Sequence, residues 1–245
     1  MKEILDINYV GDNNERHLLD VFLPENEGFT TYLYFHGGGI ESGSKAGMTA
    51  MKQSLTDAGF AVVMANYRLY PNAKFPEFIE DAATAAVWVK KNIKNYGGNG
   101  KVVIGGSSAG AYLSLMLCFD EHYLENAGTS SKDIDGWIFD AGQPTTHFNV
   151  LRERGIDTRR VIVDEAGPLY HIKQYEKCSP MVIFAAENDM PGRLEQNNLL
   201  IKTLKIFGYP EENIYFEYMP GFSHCQYVGE ECYRKKVLEF LEKIG

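Results

Sequence analysis

At 245 residues, 44% of them apolar, 13% aromatic and 23% charged, the chain is long enough for one large core and too ordinary in composition for disorder or a fibrous repeat. Its 24 basic residues against 33 acidic ones give a net charge of -9 and form no basic block, which argues against nucleic acid as a partner. The opening MKEILDINYV is interrupted by Glu3, Asp6 and Asn8 and no 18-residue apolar run exists, so the expectation is a cytoplasmic protein with no membrane partner, folded as one domain over 1–245.

Read in chain order, short β-branched and aromatic runs alternate with segments of helical period. LDINYV predicts an edge strand, followed by strands HLLDVFLP (17–24) and TYLYF (31–35) and a helix over about 45–58. AVVMANY (61–67) is the next strand, and a helix over 76–95 opens on Pro76 and stops before Gly97 and Gly98. KVVIGG (101–106) leads into a serine pair and an apolar helix, then GWIFDA (136–141). Residues 142–179 are irregular and read either as a surface crossover or as a small cap over a pocket. MVIFAA (181–186), a helix over 193–207, NIYFEYM (213–219) and a last helix over 230–244 complete the pattern. In that last helix Tyr233, Val237, Phe240, Leu241 and Ile244 share one face, which predicts docking on the sheet. The whole predicts an α/β fold with a mainly parallel sheet of about eight strands and helices on both faces.

Cys118, Cys178, Cys225 and Cys232 are scattered, with no CxxC or Cys/His spacing, and read as free thiols. No metal or other cofactor is expected.

The stretch VVIGGSSAGAY (102–112) satisfies G-x-S-x-G in one register only, with Ser108 at its centre. A frame on Ser107 would need glycine at Ala109. A nucleophile on a sharp strand-to-helix turn needs nearly side-chain-free residues two before and two after it, which Gly106 and Gly110 supply. A serine hydroxyl also needs a base and oxyanion donors. His36-Gly37-Gly38-Gly39 directly follows a strand, where its glycines let backbone N–H groups approach a substrate oxygen.

HGGG about 70 residues before GSSAG resembles the hormone-sensitive-lipase-like esterases of the α/β-hydrolase fold. LDVFLP, NYRLYP, FPEFIEDAATAAVWV and YGGN are similar to stretches of the small bacterial carboxylesterases and acetyl or xylan esterases, so the likeness runs from about residue 17 onward. It implies a triad in the order Ser, acid, His. By position these are Ser108, Asp189 after strand MVIFAA and His224 in MPGFSHC, with oxyanion donors at the N–H groups of Gly38, Gly39 and Ala109. Glu187 is a rival acid, and Asp140, Asp164 and Asp81 read as structural. His147 and His171 are candidates for substrate contact, while His36 is expected to shape its loop.

The implied activity is that of a serine carboxylesterase acting on small or short-acyl esters, with acetyl esters of sugars among the candidates. An arylformamidase-like amidase on the same triad and a non-catalytic small-molecule binding protein are the alternatives. Ser107 and Ile40 stand where many relatives carry Asp and an aromatic residue, and Ile40 is expected beside the pocket. Only 35 residues precede His36, which predicts an open site, lined by Phe75, Phe148, Tyr170, Phe222 and Tyr227. The small-molecule ester is the only partner expected, and the oligomeric state is left open.

Overall fold

A computed structural model describes all residues, 1–245. The strands are β1 (Lys2–Asn8), β2 (Leu18–Leu23), β3 (Phe29–Phe35), β4 (Ala61–Ala65), β5 (Gly98–Ser107), β6 (Gly136–Asp140), β7 (Met181–Asn188) and β8 (Ile214–Ser223). They form one eight-stranded sheet in the order β1-β2-β4-β3-β5-β6-β7-β8. Only the β1-β2 and β2-β4 pairs are antiparallel; from β4 to β8 every neighbour is parallel. From β3 the chain steps outward to β4, then crosses back to β5 on the other side of β3. That reversal opens a crevice at the carboxyl ends of β3 and β5, where ligands settle in open α/β sheets.

The helices are α1 (Thr49–Asp57), α2 (Glu77–Asn92), α3 (Ala109–Phe119), α4 (Glu121–Ala127), α5 (Phe148–Glu153), α6 (Arg193–Ile206) and α7 (Glu231–Ile244). Because side chains alternate along a strand, the sheet splits the core in two. Leu33, Phe35, Val63 and Ile104 pack on one face with α2 and α3, and Tyr32, Tyr34, Val62 and Val103 pack on the other with α1 and α7. Tyr233, Val237, Phe240 and Leu241 of α7 are buried there, as its spacing predicts. Every residue of α3 is buried, which suits a helix apolar on all sides beneath the crevice. No helix is long and apolar enough to cross a membrane.

Two helix boundaries differ from the sequence reading for identifiable reasons. α1 starts at Thr49 rather than near Lys45, because Lys45 is drawn to the sheet edge. Its N–H donates to Asn66 Oδ1 at 2.7 Å and its Nζ pairs with Asp20 at 2.6 Å. α2 ends at Asn92 and tightens into a 3-10 turn, Ile93–Tyr96, before Gly97 in the left-handed region. Residues 142–179 hold α5, a short turn at Pro168–His171 and otherwise irregular backbone.

Candidate active site

Ser108 occupies the tight turn between β5 and α3 with φ 54 and ψ -111, a conformation that side-chain-bearing residues rarely adopt. Its N–H donates to the Asp140 carbonyl at 2.7 Å and its own carbonyl accepts from Tyr112 N–H at 3.0 Å, so the strain is held from both ends. The flanking glycines are required by contact. A Cβ on Gly106 would lie 2.4 Å from the Phe35 carbonyl oxygen, and one on Gly110 only 2.0 Å from the same atom. α3 therefore leaves the sheet pressed against the end of β3, and only glycine admits that approach.

His224 follows β8. Its Nε2 lies 2.8 Å from Ser108 Oγ and its Nδ1 2.5 Å from Asp189 Oδ1, so the three residues expected from the family order are brought into one chain of contacts. The Asp189 side chain is 1% exposed and the imidazole 23% exposed, leaving the histidine one open side toward the crevice. Asp189 Oδ1 also accepts the Met190 N–H at 2.7 Å, whereas Oδ2 is buried without a partner. Glu187 is directed elsewhere. It is exposed, and its Oε2 accepts the Gly221 N–H at 2.7 Å, pinning the end of β8 that leads to His224.

The glycine loop lies opposite. Gly38 and Gly39 adopt φ 112 and φ 65, and neither N–H donates to another protein group. Ala109 opens α3, where first-turn N–H groups lack intrahelical acceptors. The loop is held by its carbonyls instead. Tyr67 donates to His36 O at 2.7 Å, Ser42 and Glu41 N–H groups donate to Gly38 O at 3.0 Å, and Asn149 Nδ2 donates to Gly39 O at 2.8 Å. His36 stacks on Tyr67 at 4.4 Å and contacts Gly37 O at 2.7 Å, and burial pushes its imidazole down to about 4, so it is a neutral structural ring.

Ser108, His224, Gly37, Gly38, Gly39, Tyr34, Phe148, Met190, Cys225 and Val228 surround a cleft of about 520 Å³. Of the five aromatic residues expected there, only Phe148 lines it. Tyr227 is fully buried, Tyr170 is exposed, and Phe75 and Phe222 pack on the core. Ile40 is not beside the cleft either: its φ of 66 turns the side chain inward, where it is 0% exposed. His147 is buried against Tyr112 and caps α5, and His171 faces Glu165 and Asp120, so neither histidine reaches the cleft. Asp81 pairs with Arg68, and Asp164 with Arg154 and Thr146, as structural carboxylates do.

Asp140 was expected to be structural, and its burial gives it more consequence than a surface pair. Its carboxylate accepts from Ser107 Oγ and, at 2.5 Å, from Tyr227 OH, and burial pushes its pKa up to about 6. Sequence spacing could not show this. The parallel register that sets Ser107 opposite Asp140 is what joins them. No cluster of three or more His, Cys, Asp or Glu side chains is placed to hold a metal ion.

Residues 19–136 match the family model described as BD-FAE. The carboxylic ester hydrolase LipN of Mycobacterium tuberculosis (strain ATCC 25618 / H37Rv) is 32% identical over 123 residues, covering 47% of this chain and 32% of its own. The chain spans about a third to a half of the length of the curated relatives it matches. Among solved structures, a truncated carbohydrate esterase from gut microbiota superposes with TM-score 0.83 at 20% identity, over 99% of this chain and 96% of that one. Propionate-bound Est2, an esterase of the Planctomycetes species Thermogutta terrifontis, gives 0.79 at 22% identity, over 99% and 94%. The chain has the α/β-hydrolase fold and resembles the small esterases of the hormone-sensitive-lipase-like group.

Proposed function

We propose that the protein is a serine hydrolase of carboxylic esters, with Ser108 as nucleophile, His224 as general base and acid, and Asp189 orienting the imidazole. The observation that carries this reading is the 2.8 Å contact of His224 Nε2 with Ser108 Oγ, backed by Asp189 on the other ring nitrogen. Ser108 Oγ attacks the ester carbonyl carbon as Nε2 takes its proton. The carbonyl oxygen becomes an oxyanion facing the N–H groups of Gly38, Gly39 and Ala109, each such donor contributing on the order of 3 kcal/mol to the transition state. The intermediate collapses to an acyl-serine, and the alkoxide leaves with the proton from Nε2. Water then gives a proton to His224 and attacks the acyl carbon, and Ser108 departs with that proton as the acid is released.

Short-acyl esters are the proposed substrates, with acetyl esters of sugars as the class to test first. The support is the resemblance to a carbohydrate esterase and to an esterase seen with propionate bound. Hydrolysis of p-nitrophenyl acetate by the wild type and its loss in Ser108→Ala, by roughly a million-fold in kcat, are expected. Unchanged turnover in that variant overturns the assignment.

A further inference from the structure

A second cavity of about 390 Å³ opens beside the cleft, and Phe148 and Met190 line both. Its walls include Arg152, Arg159, Arg160 and Arg193, and no Asp or Glu lines it. On a chain of net charge -9, four guanidinium groups around one cavity is a concentration against the overall balance.

Two of the four already have counter-charges: Arg152 pairs with Glu41, and Arg159 with Asp157. The other two touch no carboxylate, although Asp157 lies near Arg160 and Asp189 near Arg193. Arg160 is exposed and forms no ion pair, its backbone N–H bonding Asp157 O at 3.1 Å. Arg193 is 4% exposed, yet its guanidinium meets only neutral acceptors, Ala141 O at 2.6 Å and Gln143 Oε1 at 3.1 Å. A buried cation that touches no carboxylate is unfavourable, and burial lowers the pKa of Arg193 although the nearby Asp189 carboxylate partly opposes this. A guanidinium fork matches the two oxygens of a carboxylate.

We infer that this cavity is a subsite for an anionic arm of the substrate, so that the preferred ester also carries a carboxylate. The inference rests on the esterase reading and deepens it. A half-ester of a dicarboxylic acid or an acetylated acid sugar has this chemistry, the ester at Ser108 and the carboxylate among the arginines.

The test uses two matched pairs: mono-p-nitrophenyl glutarate against p-nitrophenyl butyrate for an acyl-side charge, and 4-acetoxybutyrate against butyl acetate for an alcohol-side charge. In one pair at low salt, kcat/KM is expected to favour the anionic member by about tenfold. That ratio falls toward unity in Arg160→Glu and at about 0.5 M NaCl. Arg160→Glu alters an exposed, unpaired side chain and so preserves the fold, and Arg193→Gln then tests the buried member. No anionic preference in either pair, with the neutral esters still hydrolysed through Ser108, overturns the subsite and leaves the esterase reading intact. If no ester is hydrolysed, the esterase reading falls and calorimetry with free glutarate decides: binding weakened by Arg160→Glu retains the anion site, and no binding removes it.

Discussion

Asp189 presents one oxygen to His224 and keeps the other buried without a donor, which on the esterase reading suits it to orient the imidazole. Asp189→Asn is expected to lower kcat by roughly 10⁴ with a much smaller change in KM, read from steady-state kinetics. Ser107 is a different case. Its hydroxyl supports Asp140 from the position next to Ser108. Ser107→Ala should retain most turnover but lose about 1–3 kcal/mol of stability by urea titration, because a buried carboxylate forfeits a donor. Single residues show how far the sequence could be read. The turn at Ser108 was legible because its glycine neighbours answer to a local steric demand, and its contact with His224 and Asp189 because the family resemblance implies that order after the strands. The direction of Ile40 depends on one positive φ, and the partnership of Asp140 on a sheet register; neither is written in a motif.

All eight strands were legible as elements, because β-branched and aromatic runs bounded by polar turns have few other outcomes. α4 was not, and for α5 the crossover reading of 142–179 gave a helix or two without their bounds, because seven and six residues are too short to show a helical period. The close approach of α3 to β3 is the element-level feature with the sharpest consequence. Gly110→Ala puts a methyl group 2.0 Å from the Phe35 carbonyl oxygen, and neither backbone can move without displacing Ser108. A loss of about 3 kcal/mol in stability is expected, together with loss of esterase turnover. A urea midpoint equal to that of the wild type would contradict this account of the turn.

For the molecule as a whole, three buried titratable groups set the response to acid. His36, pushed down to about 4, and His147, held well below its ordinary value by burial, stay neutral in the fold. Between about pH 4 and 6.5 the unfolded chain therefore binds more protons at these histidines, and stability is lost as pH falls through that window. Asp140 works the other way. With its pKa raised to about 6, the fold holds a proton that the unfolded carboxyl has released, so this group costs stability as pH rises from about 4 to 6. Two histidines against one carboxyl predict a net slope of about 1.4 kcal/mol per pH unit, measurable as urea midpoints at pH 4.5 and 6.5. A flat profile would mean that the imidazoles are charged or exposed in the fold. The hydrogen bond from Asn149 to the Gly39 carbonyl has another kind of consequence, for anyone seeking to re-engineer the protein. The segment that walls both cavities is tied to the loop proposed to hold the oxyanion, so on the esterase reading recognition and rate are not separable modules. Exchanging α5 for another segment would alter the choice of substrate and the speed of its conversion together.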